Sequence, residues 1–133
     1  MRKRVALVTS VSISLLIAAC SSSSSHGTAP TVSALNLSPT DLKVGSANTV
    51  TGTMQFADPD GDLVEIDSEV HVGAQTQTLP ATQLAGVSGQ TVGTLQLTVL
   101  VQPTAAGQID FFVWVTDKQG NSSNRLTTVF QAK

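Results

Sequence analysis

The chain has 133 residues, seven Lys and Arg against nine Asp and Glu, and a formal net charge of −2. With no basic surplus it lacks the electrostatic footprint of a nucleic-acid binder, and with a single cysteine, Cys20, it can form no internal disulfide, so its stability rests on burial alone. From Thr31 to Lys133 there are 103 residues, enough for one hydrophobic core and too few for two.

In chain order, Arg2, Lys3 and Arg4 form a positive patch, Val5 to Ala19 an apolar run, and Ala18-Ala19 a pair of small residues before Cys20. That order is the pattern of a secretory signal. The run is interrupted by Thr9, Ser10, Ser12 and Ser14, and it is shorter than the roughly 20 apolar residues needed to cross a bilayer. Ile17-Ala18-Ala19-Cys20 resembles the lipobox of bacterial lipoproteins. The resemblance implies cleavage before Cys20, acylation of its thiol (diacylglyceryl, palmitate-type chains), and membrane anchoring through that residue. Ser21 in the next position implies sorting to the outer membrane. Two or more acyl chains hold a protein firmly where one binds only reversibly. Ser21 to Pro30 is Ser-rich, without apolar periodicity, and reads as a tether. The expected division is therefore residues 1–19 signal peptide, 20–30 lipidated cysteine and tether, and 31–133 one domain. Once the leader is gone, four basic residues (Lys43, Lys118, Arg125, Lys133) face nine acidic ones, a net charge of −5.

From Thr31 onward the apolar residues alternate with period two, the mark of strands with one dry and one wet face. A short strand at Leu35 and Leu37 is expected to continue at Leu42 and Val44 after the turn Ser38-Pro39-Thr40-Asp41. Asn48 to Phe56 places Val50, Gly52, Met54 and Phe56 on one face. Leu63 to Val72 turns Val64, Ile66, Val70 and Val72 inward and Glu65, Asp67, Glu69 and His71 outward. Gln75 to Val87, interrupted by Pro80 and Gly86, reads as a short edge strand at most. Val92 to Val101, Ile109 to Thr116 and Arg125 to Gln131 complete the set. Six or seven such strands in about 100 residues predict an all-β, antiparallel, immunoglobulin-like two-sheet sandwich. Phe56-Ala57-Asp58-Pro59-Asp60-Gly61-Asp62-Leu63 and Val115-Thr116-Asp117-Lys118-Gln119-Gly120-Asn121 resemble the bacterial Ig-like and cadherin-like modules of surface proteins. That resemblance implies adhesion, spacing or accessory binding in place of catalysis.

Two constellations carry candidate chemistry. Asp58, Asp60 and Asp62 offer hard oxygens of the kind calcium takes, and the fold brings Asp117 to the same pole. The competing reading is a structural turn, since Asp-Pro-Asp-Gly has a favoured residue at each position of a type I turn, and no ligand set is complete. The other is Phe112 and Trp114. They share parity with Asp110 and Thr116, which puts Ile109, Phe111, Val113 and Val115 in the core and turns the two aromatics outward. There they either form a contact surface for a protein or glycan or are covered by the irregular Gln75 to Val87 segment, the favoured expectation. No enzyme is expected: Gly86-Val87-Ser88-Gly89-Gln90 misses the final glycine of a nucleophile elbow, and His71 has no partner constellation around it.

Overall fold

A computed structural model describes residues 27–133; the expected signal peptide, Cys20 and most of the Ser-rich tether lie outside the described residues. Eight strands are present: β1 (Thr31–Ser38), β2 (Asp41–Leu42), β3 (Asn48–Ala57), β4 (Leu63–Val72), β5 (Gln75–Gln83), β6 (Val92–Val101), β7 (Gly107–Asp117) and β8 (Leu126–Ala132). They form a three-stranded sheet, β1-β3-β6, and a five-stranded sheet, β2-β8-β7-β4-β5. Every pairing is antiparallel except β2 with β8. This is the Ig-like sandwich that the alternation predicts.

The core is the set of dry faces meeting between the sheets. Val50, Met54 and Phe56 of β3 and Leu95 and Leu97 of β6 come from one side, and Ile66, Ile109, Phe111, Val113, Val115 and Phe130 from the other. Phe111 and Phe130, both fully buried, meet with ring centroids 5.7 Å apart, a spacing at which tilted aromatic pairs attract. Gly52 stands where an inward side chain is due. A Cβ there would come within 1.8 Å of the Asn36 carbonyl oxygen, because β1 carries an extra residue between Ser33 and Asn36 and presses its backbone onto β3.

Three local expectations differ. Leu42 and Val44 do not extend the first strand: after the cis Ser38–Pro39 peptide the chain crosses to the other sheet, and β2 pairs in parallel with the end of β8. Leu63, not Val64, enters the core, because Val64 falls in a bulge against β7 where the pairing passes from Leu63–Asp117 to Glu65–Thr116. Gln75 to Gln83 is a nine-residue strand. Pro80 is tolerated because β5 is an edge and the proline falls at a second irregularity, between the pairs Ser68–Leu79 and Ile66–Thr82.

The antiparallel β1–β3 pair sets Thr31 against Ala57. The described chain therefore starts at the pole occupied by the β3–β4 and β7–β8 loops, while Ala132 pairs with Gly107 at the opposite pole.

Candidate functional site

The two polar loops share one construction. Asp58 and Asp117 each end a strand region with the side chain turned inward, and both are buried. Asp58 accepts the Asp62 N–H at 2.8 Å and the Asp60 N–H at 3.3 Å, while its carbonyl takes the Gly61 N–H at 3.1 Å. Asp117 accepts the Gln119 and Asn121 N–H groups, both at 2.8 Å, and its carbonyl takes the Gly120 N–H at 3.1 Å. The frames match position for position: Asp first, Gly fourth, and donors from the third and fifth residues. Gly61 and Gly120 adopt φ of +65° and +85°, a conformation that glycine takes without steric cost. The Asn121 side-chain amide adds a further bond to Asp117 at 2.8 Å. Burial pushes the Asp117 carboxyl up, but the Asn121 side chain and the N–H groups of Asn121, Gln119 and Gly120 outweigh it and hold the group below the ordinary aspartate value.

The loops also grip each other and the incoming chain. Lys118 N–H donates to the Asp62 carbonyl at 2.9 Å, and the Gln119 amide reaches the Asp62 carboxylate at 3.2 Å. Gly27 N–H donates to the Gln119 side chain and Thr28 N–H to Asp60. The Asn124 side chain bonds both the N–H and the carbonyl of Val32 at 2.9 Å, closing the sandwich at this pole.

The structure thus brings Asp58, Asp60, Asp62 and Asp117 into one pole, as expected, and engages most of their oxygens. Asp58 and Asp117 hold backbone donors, Asp60 holds Thr28, and one Asp62 oxygen takes Gln119. The other, Asp62 Oδ1, is buried without a partner. Calcium requires six to eight oxygens, and among the described residues no three His, Cys, Asp or Glu side chains converge as a metal would require. In this arrangement the acidic pole is a pair of capped turns. Sequence reasoning found the turns but not that each buries its first carboxylate; the signal was the repeated Asp-x-x-Gly spacing.

On β7, Ile109, Phe111, Val113 and Val115 are buried, and Phe112 and Trp114 stand half-buried on the outer face of the five-stranded sheet. What covers them is not the Gln75 to Val87 segment, whose strand β5 lies in the plane of the sheet beside β4. The cover is local. Arg125 lies over Trp114 with Cζ 3.9 Å from the ring centroid and approaches Glu69 at 3.6 Å. His71 sits 4.5 Å from Phe112, ring to ring, and contacts Glu69. Asp67 accepts a bond from Thr116 at 2.6 Å. Across the strands Trp114 pairs with Asp67, and Phe112 with Glu69 and Thr127. The result is a half-covered aromatic strip framed by two carboxylates, Asp67 and Glu69, with His71 and Arg125. Arg125, missed in the sequence reading, is the residue that completes it; its place just before the last strand was the available signal.

No protein-family model and no curated sequence matches the chain. Solved structures do resemble it in fold. A sporulation control protein, Spo0M, from Bacillus subtilis superposes with a TM-score of 0.54 at 12% identity, over 80% of this chain and 50% of its own. The SrpA adhesin from Streptococcus sanguinis, in a mutant form, gives 0.52 at 16% identity over 80% and 58%. A Niemann-Pick type C2 protein from the Japanese carpenter ant gives 0.51 at 11% over 80% and 94%. The chain thus spans half to three-fifths of the first and second of these, and at such identities the likeness is one of sandwich fold.

Proposed function

We propose that the chain is a lipid-anchored cell-envelope protein whose Ig-like domain is a non-catalytic contact module, presenting the strip around Trp114 and Phe112 to a protein or glycan. The observation that carries this reading is the outward Trp114 stacked under Arg125 at 3.9 Å with Glu69 beside it. A ring capped by an arginine and edged by carboxylates suits a protein hot spot or the hydroxyl rim of a sugar. The likeness to an adhesin is compatible with it.

The lipobox at Cys20 supports the anchor, and the hold on Gly27 and Thr28 gives it a direction. The tether joins the pole of the acidic loops, so that pole faces the membrane. The strip lies along the flank, and Lys133 points away. With Gly27 and Thr28 held, the six residues from Ser21 to His26 reach about 20 Å extended and about 13 Å as a coil, so the domain works close to the lipid surface. A Ser after the cysteine favours the outer membrane.

The test has two arms. Full chain and Cys20→Ser are partitioned between detergent and aqueous phases; the variant is expected to leave the detergent phase, and unchanged partitioning would refute the anchor. Trp114 fluorescence is then titrated with cell-wall glycan fragments, and crosslinking on intact cells is compared between the native chain and Trp114→Ala. Loss of glycan response or of a crosslinked neighbour in the variant supports the contact strip, and identical behaviour overturns it.

A further inference from the structure

The sheet edges are not alike. β1 is bulged between Ser33 and Asn36, with Ala34 at φ +51°. β2 has two residues, and β5 carries Pro80 at its irregularity. Short strands, bulges and prolines each discourage another chain from pairing. β6 has none of these. Val92–Val101 runs ten residues in unbroken register against β3, with no proline and no charged side chain, and it pairs on one side only. Its alternate N–H and carbonyl groups on the far side have no strand partner.

Beside that edge the smaller sheet stops and the larger continues. Two adjoining cavities, about 230 and 380 Å³, open between β6 and the inner side of β4 and β5, with Leu79 and Leu100 lining both. Phe111 and Val113 lie at the floor of the first, and Val70 and Ile109 line the second. No ionisable side chain lines either. Val72 stands 49% exposed at the rim, and Leu100 is 66% exposed with its side chain on the outer face of β6, across from Thr49. This also explains why Val72, inward by parity, is wet: no strand lies opposite it.

We propose that the β6 edge is a strand-acceptor site for an extended, uncharged segment of a partner polypeptide, which pairs its backbone with β6 and sends alternate apolar side chains into the cleft above Leu79 and Phe111. A strand added about 4.8 Å beyond β6 lies over the larger sheet at the roughly 10 Å separation of packed sheets, so the cleft has the dimensions of one strand. The charge balance selects the occupant: a segment carrying Lys, Arg, Asp or Glu at its inward-facing positions would bury an unpaired charge against a neutral lining. The geometry disfavours a second whole copy. Two-fold pairing of β6 with itself places both five-stranded sheets on the same side, where the overhanging β5 strands collide. This site is separate from the Trp114 strip, which lies on the other face of the larger sheet.

The probe is a labelled peptide with the sequence of β3, Asn48 to Ala57, capped at both ends so that it carries no charge; it already matches β6 in antiparallel register. It is titrated by fluorescence anisotropy into the purified full chain, with amide exchange read along β6. Saturable binding with slowed exchange in Val92–Val101 is expected, weakened at least about tenfold when alternate peptide nitrogens are methylated, the equivalent of about 1.4 kcal/mol. Val72→Lys, at a half-exposed position that lines the second cavity, is expected to weaken binding similarly while the melting temperature stays unchanged. Equal binding of the methylated peptide, no binding at about 1 mM, displacement by a fatty acid without any change in β6 exchange, or β6 protection that rises with protein concentration alone would each overturn the proposal.

Discussion

Replacing Asp117 with alanine removes the acceptor that organises the β7–β8 loop. The carboxylate holds two backbone N–H groups at 2.8 Å and the Asn121 amide at 2.8 Å. A hydrogen bond to a charged group contributes about 1.5–3 kcal/mol, and the Asn121 amide can turn to water, so the two backbone bonds at the lower end set the cost of Asp117→Ala at about 3 kcal/mol. For a domain of about 100 residues that lowers the melting temperature by roughly 12–24 °C. Asp117→Asn keeps one acceptor oxygen but sets its amide against that of Asn121, so about half the loss is expected. Adding Asn121→Asp restores a donor–acceptor pair and recovers part of it. The assay is urea and thermal unfolding followed by Trp114, the only tryptophan, with and without excess calcium or chelator. A loss below about 1 kcal/mol for Asp117→Ala would refute the capped-turn account. So would a melting temperature raised several degrees by calcium in the native chain and not in Asp117→Asn; that outcome would make the acidic pole a metal site.

Because the folded Asp117 carboxyl is held below the ordinary aspartate value, its contribution is present above that value and is lost as pH falls through the lowered one. Unfolding free energy measured below about pH 4 should therefore decline less steeply in Asp117→Asn than in the native chain. Gly52→Ala places a Cβ 1.8 Å from the Asn36 carbonyl oxygen and should destabilise by about 2 kcal/mol or more, read by urea titration, with the β1–β3 amides exchanging faster. Arg125→Ala should raise quenching of Trp114 by acrylamide, a neutral quencher, by uncovering the ring face while lowering stability by no more than about 1 kcal/mol; unchanged quenching would mean that Arg125 does not cover the ring.

Much of the sandwich is legible in the chain itself, because period-two alternation is enforced locally: a residue out of phase faces the wrong medium. Val50, Met54 and Phe56, or Phe111, Val113 and Val115, could only be one dry face, and the outward turn of Phe112 and Trp114 follows from the same parity. The alternation is silent on anything that depends on a second strand. It could not show that Leu42 crosses to the other sheet, that a bulge sends Leu63 inward in place of Val64, or that Pro80 rests harmlessly on an edge, since each is settled by a neighbour distant in sequence. The same holds for the cover of Trp114. Arg125, not the Gln75 to Val87 segment, supplies it, because strand order puts β8 beside β7 and β5 beyond β4.

The sequence by itself determined the fold class, the wet and dry faces and the two polar turns, all readable from spacing along one chain. Only the tertiary structure decided that Asp58 and Asp117 are buried caps, that Arg125 lies on Trp114, and that β6 borders an uncovered apolar cleft. Those facts depend on which strands become neighbours and on how far one sheet extends past the other, quantities set by packing across the sandwich and written in no single segment.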